Sequence, residues 1–505
     1  MGKRAVGWLL CAALLFAVPF GALAGGPYRM AGFDGDESRH VWEDNAFFAR
    51  MEARTGVTFT FEQYTDYGKW QAAKQAMLTG DALPDVLFKA ALTTREQIEL
   101  SAQGKLIDLL PLLPEYAPNL WALLSAHPAW LSAITLPDGK VVALPAIYET
   151  PTQNAMWING TWLDALGFAA PTDLSTLADV LRAFKAQDPN RNGQADEVPL
   201  SFLGPWDLKF LAHAVGLVAN DYNVWLDGGT VRFVPEDERY LSLLAWLRDA
   251  YAEGLLDQSG FTTADALRTV SDEKAAATYG LFFGPNPMNL LPYETARQYR
   301  LLAPLAFEGA QVYRDLNGPL TGGAFAITAT CEDPAALLAW VDILYGNTGA
   351  VEAMAGKAGE DYLLAGDGGW TYAGDMEQNA DYIMYDLSVY DTGTMPWLFP
   401  QGFYDRYQND DIARVNGALQ TLRGYVTAPF PAYVLTPAQE DELAPLQAAL
   451  GRYVDESLAR FVLGELDIRS QADVAAYRAG LAENGSVALT AFWQRVADGL
   501  NAKAQ

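Results

Sequence analysis

The sequence is poor in the residues that usually carry covalent or metal chemistry. Of 505 residues only two are cysteine, Cys11 and Cys331, so there is neither a disulfide framework nor a thiolate zinc cage. Histidine is limited to His40, His127 and His213. There is no His-Glu-x-x-His, no Gly-x-Ser-x-Gly and no phosphate-cradling glycine loop. Those absences remove the sequence signatures of zinc peptidases, α/β-hydrolases and nucleotide enzymes. Positive charge is also short: 34 Lys+Arg face 62 Asp+Glu, for a net charge of −28. A field of that sign repels phosphate backbones, so no nucleic-acid partner is expected. Beyond the N-terminus no apolar run approaches the ~20 residues needed to cross a bilayer. Tandem repeats and low-complexity tracts are missing.

What is present is a large apolar inventory. Half the residues are hydrophobic and 12% aromatic, including 14 Trp, 24 Tyr and 23 Phe. That composition supports sizeable cores and excludes global disorder; the length predicts two large lobes or three smaller domains.

The first residues predict export. Lys3 and Arg4 precede an apolar stretch from Val6 to Val18, and Ala22-Leu23-Ala24 offers the small residues a signal peptidase requires. Residues 1–24 are therefore read as a secretory signal. Cys11 lies within the apolar stretch rather than at its end, so no lipid anchor is expected. Loss of Lys3 and Arg4 takes the charge from −28 to −30. Cys331 is then alone, and is read as a buried small hydrophobe.

Periodicity along the chain predicts an α/β protein that is helix-rich towards its C-terminus. Val57 to Phe61 alternates as a strand, Gly68 to Leu78 reads as a helix and Pro84 to Phe88 as the next strand, a βαβ unit. Val141–Leu144 and Ala155–Ile158 are further strands. Leu177, Val180, Leu181 and Phe184 fall on one helical face, as do Tyr240, Leu243, Leu244, Leu247 and Tyr251. Thr436-Pro437-Ala438-Gln439 is a capping box that opens a long helix. Helices are also expected over about 472–481 and 488–500, and the Gly-rich stretch 355–369 reads as a loop.

One segment carries distinct chemistry. Residues 188–197 run Asp-Pro-Asn-Arg-Asn-Gly-Gln-Ala-Asp-Glu, with oxygen-bearing side chains at positions one, three, five, nine and ten. A Ca²⁺ ion takes six to eight oxygens at ~2.4 Å, and alternate residues of a tight loop can aim theirs at one centre. Asp188, Asn190, Asn192, Gln194 (through its backbone carbonyl), Asp196 and Glu197 are the expected ligands, with Gly193 at the sharp turn. Pro199 stands where an EF-hand loop has its bidentate glutamate, so Asp196 and Glu197 must close the shell earlier. The alternative is an ordinary Asn/Gly/Asp turn.

This loop resembles the calcium loop of extracellular solute-binding proteins of ABC importers, in the branch that includes alginate-binding proteins. Other segments resemble that family in the same order: Thr79 to Val86, Val141 to Pro145, Trp157 to Gly167, and Tyr453 to Asp467. The resemblance implies a two-lobed periplasmic-binding-protein fold of type II-like form, each lobe a mainly parallel sheet flanked by helices. By analogy the N-lobe holds 27–143 and 312–375, and the C-lobe 147–308 and 380–505. Hinge crossings then fall near 143–147, 308–312 and 375–380. It further implies a monomer without catalysis, whose interlobe cleft captures an oligosaccharide for a membrane permease.

Sugars present C–H faces to aromatic rings and hydroxyl rims to polar side chains. Aromatics beside Pro or Gly are the better candidates for such a surface. Trp206, Trp397 and Tyr148 come first, then Phe282 and Trp70, with Asp85 and Asn286 as polar partners. A secreted carbohydrate-active hydrolase, or a surface protein that binds polysaccharide without transport, fits the same composition. A glycosidase needs two carboxylates across a cleft, and spacing along the chain cannot reveal that pair.

Overall fold

The computed structural model describes residues 26–36, 38–148, 155–261, 278–289, 291–314, 320–365, 369–379, 381–389, 394–399 and 410–503. The expected signal segment 1–24 lies outside them.

Two sheets organise two cores. The first sheet contains β1 (Tyr28–Phe33), β2 (Phe59–Tyr64), β3 (Val86–Phe88) and β4 (Leu144–Ile147). The second contains β5 (Ala155–Asn159), β6 (Val198–Leu200), β9 (Tyr279–Gly284) and β10 (Tyr299–Leu302), with a separate hairpin of β7 (Val224–Asp227) and β8 (Thr230–Phe233). Two later strands, β11 (Tyr313–Arg314) and β12 (Leu320–Ile327), lie where the chain returns to the first sheet. The first sheet runs β2-β1-β3-β12-β4. β1 pairs in parallel with both β2 and β3, and β12 is antiparallel to β3 and β4. The helix Tyr67–Thr79 thus carries the chain from β2 over β1 to β3, as the βαβ pattern predicts. The second sheet runs β10-β5-β9-β6. In it β6 and β9 are parallel, and β5 runs opposite to both β9 and β10.

One apolar cluster buries the second sheet and two bury the first. In the first, Trp340 sits among Phe48, Phe59, Phe88 and Phe325 with ring centroids 5.1–6.5 Å apart. Each such ring removed from water contributes ~1.5–3 kcal/mol. In the second, Leu177, Val180, Leu181 and Phe184 of the helix Leu174–Ala186 pack inward, as their spacing requires. The predicted capping box at Thr436 is present, with both Thr436 and Gln439 side chains reaching back to backbone N–H groups. It opens the 27-residue helix Pro437–Leu463. The Gly-rich stretch 355–369 is not wholly loop: Tyr362–Leu364 pairs with Trp370–Tyr372 in a small hairpin.

The chain changes cores between 148 and 155, between 314 and 320, and between 399 and 410. The expected hinge crossings lie near 143–147, 308–312 and 375–380; the apolar clusters change over after each. β4 belongs wholly to the first sheet, Tyr313 packs into the second core, and Leu387, Val389, Met395 and Trp397 pack into or against the first. The shift has a simple cause. The stretch 394–399 adds to the edge of β4, with Ile147 N donating to Trp397 O and Phe399 N to Ile147 O, both at 2.8 Å. An isolated parallel bridge joins Ile147 and Leu398.

Candidate functional site

Strand direction decides where the lobes face each other. The first sheet sends the chain across from the C-terminal end of β4, beside the start of β12. Because β12 runs against β3 and β4, the C-terminal ends of β1 and β3 lie at that same end. In the second sheet the chain arrives at the start of β5, which lies opposite the C-terminal end of β9 and hence of β6. Residues 34, 64, 89–92 and 148 therefore lie at the crossing end of the first sheet, and residues 201–206 and 284–286 at the crossing end of the second. Carboxyl ends of parallel strands are favoured ligand crevices in α/β sheets. The lobes also touch directly: Arg95 donates to Glu440 at 2.9 Å, to Asp441 at 2.5 Å and to the Pro437 carbonyl at 3.0 Å.

The first-lobe wall rests on a buried ionic knot. Asp34, just past β1, accepts from Lys89, just past β3, and from Ser38 at 2.7 Å, His40 Nδ1 at 2.6 Å and Gln63 at 3.2 Å. Asp34 and Lys89 side chains are completely buried. Burial alone would raise the Asp34 carboxyl, but the His40 hydrogen bond and the Lys89 charge bring it down to about 2. The knot reaches the later segment 381–389: His40 Nε2 faces Met384 O at 2.7 Å and Lys89 Nζ donates to Val389 O at 3.0 Å. Asn45 donates to the carbonyls of Tyr385 and Ser388, both at 2.9 Å. Gly323, with φ +73°, lies in the bulge of β12, where a Cβ would meet the Leu92 carbonyl at 2.1 Å. No larger residue fits that approach.

The second-lobe wall holds a cavity of about 210 Å³. Trp206 and Asp221, both exposed, stand at its mouth; Phe210, His213, Asn220 and Tyr240 form its interior. Arg314, at the end of β11 beside a crossing, also lines it. Gly204-Pro205 places Trp206 in the first turn of the short helix Pro205–Phe210, which leaves its ring 45% exposed. The buried Asp207 carboxylate accepts from Leu203 N at 2.8 Å and so fastens that turn.

The seven expected ligand residues fall into three groups. Trp206 lines the cavity, while Asn286 follows β9 at the same end, its Oδ1 accepting from Met288 N at 2.9 Å. Tyr148 lies at the facing end of β4, half-buried and 5.5 Å from the Phe399 ring. Trp397, Trp70 and Phe282, expected on a ligand surface, are buried in the apolar clusters. Trp397 is fully buried beside β4; Trp70 is fully buried with its Nε1 donating to Ala90 O at 2.9 Å; Phe282 lies inside β9 against Tyr299 at 4.8 Å. Asp85, expected as a polar partner of the ligand, lies apart from Tyr148 and Asn286. It precedes β3, at the end away from the crossings, and accepts from Arg29 N at 2.8 Å.

Sequence reasoning passed over Asn220, His213 and Tyr240, which look like core positions, and Tyr67, exposed at the N-terminus of the helix after β2. Tyr67 N donates to Asp36 at 2.6 Å. Only strand order brings these residues to the crossing end. His127, the remaining histidine, stacks on Trp130 at 3.9 Å, far from chemistry of its own. Burial lifts the Cys331 thiol to about 11, as befits an inert packed residue.

The 188–197 loop is tight, with Asp188, Arg191 and Gly193 all at positive φ. Asp188 accepts from Asn192 N at 3.1 Å and Gly193 N at 3.0 Å. Asp196 accepts from the amides of Asn190 at 3.2 Å and Asn192 at 3.0 Å. Among the described residues no three His, Cys, Asp or Glu side chains are grouped as a metal site. Yet both Glu197 carboxylate oxygens are buried with no hydrogen-bond partner. Burial, then the charges of Asp196 and Asp188, raise the Glu197 carboxyl. A nearby cation would offset the cost of that buried carboxylate charge.

No family model matches the chain. It is 28% identical over 329 residues to FusA, a fructooligosaccharide ABC transporter substrate-binding protein of Streptococcus pneumoniae serotype 4 (strain ATCC BAA-334 / TIGR4). That match covers 62% of this chain and 60% of FusA. The structure of FusA in complex with kestose superposes at a TM-score of 0.70 and 22% identity, covering 94% of this chain and 99% of FusA. An extracellular solute-binding protein from Bifidobacterium longum subsp. infantis gives 0.76 at 21% identity over 94% and 98% of the two chains. The alginate-binding protein AlgQ2, solved without calcium ion, gives 0.63 at 19% identity over 94% and 98%. A FusA EF-hand mutant is also similar, at 0.71 and 22% identity over 94% and 99%. The chain therefore has the two-lobed fold of extracellular solute-binding proteins, the resemblance carried by its sequence segments.

Proposed function

We propose that this protein is an extracytoplasmic receptor of an ABC importer, which captures an oligosaccharide between its lobes and passes it unchanged to a membrane permease. The observation that carries this reading is the exposed Trp206 ring at the mouth of a polar-lined cavity, at the carboxyl end of the second sheet. A flat aromatic face beside hydrogen-bonding groups matches the C–H faces and hydroxyl rims of a sugar. The similarity to FusA, a fructooligosaccharide-binding protein, supports the same ligand class. The net charge of −28 favours a neutral sugar over a polyanionic one by long-range steering.

Tyr148, Asn286 and Tyr67 are further cleft residues in this reading, set towards the crossing ends of the two sheets. Arg95 with Glu440 and Asp441 would hold the lobes in register as they close. Closure then excludes water from the captured sugar by hinge motion at the crossings. The reading includes export through the N-terminal signal, action as a monomer, and no catalytic step.

The 188–197 loop would hold one Ca²⁺ through Asp188, Asn190, Asn192, Asp196 and Glu197 with the Gln194 carbonyl. The bound ion supplies charge neutralisation that braces the loop between the helix Leu174–Ala186 and β6. Its own residues already set the turn; what they lack is a partner for Glu197.

Thermal-shift screening against neutral oligosaccharides, followed by chromatography of the recovered sugar, tests the reading. A raised melting temperature with the sugar intact supports it. No shift with any sugar, or release of shorter products, defeats it.

A further inference from the structure

The lobes meet at a clasp that lies outside the cavity. The stretch just before the helix Pro437–Leu463 divides its side chains between the two lobes. Tyr433 lies against Phe430 and Trp493 of the second core, with ring centroids at 5.7 and 4.8 Å, and Leu435 is buried in that core. Val434, between them, packs instead against the first-lobe cluster that holds Trp70, Leu92 and Leu100. Side chains that alternate between opposite sides are the mark of extended backbone, so three successive residues touch both lobes at once.

The charged half of the clasp follows directly. Arg95 Nε donates to Glu440 at 2.9 Å, and Nη2 donates to Asp441 at 2.5 Å and to the Pro437 carbonyl at 3.0 Å. Both sides are firmly mounted. Arg95 stands in the first turn of the helix Thr94–Ala102, which is fixed by the Thr93–Glu96 capping box and by the buried Lys74–Glu96 pair at 2.9 Å. Glu440 and Asp441 ride on the helix Pro437–Leu463, whose Leu443, Leu450 and Val454 are buried in the second core. With 35% of its side chain exposed, Arg95 gains little from any single bond. Three bonds from one planar guanidinium, however, all form in only one relative placement of the lobes. In a chain of net charge −28 approaching surfaces tend to repel, and here a first-lobe cation meets two second-lobe acids.

We propose that Arg95 and Val434 form a latch that engages as the lobes close and parts as they open, and so sets the closed fraction of the receptor without touching the sugar. The latch rests on the receptor reading and adds to it a means of regulation. A protein that holds its ligand only when closed shows a dissociation constant inversely proportional to its closed fraction. Because the Arg95 bonds are exposed, salt screens them, and ionic strength then tunes the capture even of an uncharged sugar.

The test compares wild type, Arg95→Ala and Val434→Ser by small-angle scattering without sugar, and by titration calorimetry with kestose, raffinose and maltotriose at low salt and at about 1 M NaCl. Both side chains are only partly buried, so both variants should fold. Each variant should enlarge the radius of gyration of the sugar-free protein, and weaken every sugar that binds by about two- to tenfold at low salt. The Arg95→Ala deficit should shrink at high salt, whereas the Val434→Ser deficit should persist. Wild-type affinity in both variants at both salt concentrations would make the contact a fixed pivot and overturn the latch, while the receptor reading stands. If no sugar binds the wild-type protein the receptor reading fails, and the radii alone decide the latch: larger in the variants upholds it, unchanged overturns it.

Discussion

Asp34 and Lys89, each completely buried, form an ion pair that joins the C-terminal ends of the neighbouring parallel strands β1 and β3. The pair sits where the first lobe faces the crossings, and through Lys89 Nζ and His40 it also holds the segment 381–389. Asp34→Asn would remove the buried carboxylate charge that faces the Lys89 ammonium. Breaking one side of such a pair typically costs 3–5 kcal/mol. Urea unfolding should therefore show Asp34→Asn destabilised by about 3 kcal/mol, and an unchanged midpoint would deny the pair its role.

The same carboxyl sets an acid limit. Burial raises it, but the His40 hydrogen bond and the Lys89 charge hold it at about 2, below its unfolded value of ~3.9. An acid depressed on folding contributes stability above its unfolded pKa and loses it as pH falls through the folded one. The wild type should lose about 2 kcal/mol between pH 5 and pH 2 on this account. That part of the loss should be missing from Asp34→Asn, as urea titrations at successive pH values would register.

Glu197 behaves in the opposite sense. Its raised carboxyl makes the loop uncomfortable as pH rises through the ordinary carboxylate range, unless a cation neutralises it. Chelator should lower the melting temperature at pH 7 by several degrees and added Ca²⁺ restore it. Glu197→Gln should melt nearer the chelated value whether or not Ca²⁺ is present. Identical curves with and without chelator would leave the loop an ordinary turn.

Trp397 makes a prediction about stability rather than recognition. It is fully buried, and its backbone carbonyl pairs with β4. Trp397→Ala should destabilise the protein by about 3–5 kcal/mol, as large-to-small core changes do. Lost sugar affinity without lost stability would return Trp397 to the ligand surface.

Much of the fold was legible in local pattern. The β2–helix–β3 unit, the helical stripe from Leu177 to Phe184 and the Thr436 capping box all formed as their residues dictate. The site was less legible, for reasons seen in particular residues. Trp397 follows Met395-Pro396 and so resembles a loop aromatic, but a partner strand 250 residues earlier draws it into a core. Asp85 and Lys89 bracket one short strand, and only its direction makes Lys89 face the crossings and Asp85 face away. His213 sits in an apolar run, and its unsatisfied Nε2 exists only because the Phe210 carbonyl occupies its other nitrogen. Periodicity shows that such residues are buried. It does not show which cavity they border.

Isothermal titration of the purified protein with a panel of neutral oligosaccharides, the sugar being recovered and sized afterwards, bears most directly on the account. One ligand per chain, bound at micromolar affinity or tighter and returned at its original length, is the predicted result. Silence across the panel, or recovery of shortened sugar, would contradict it.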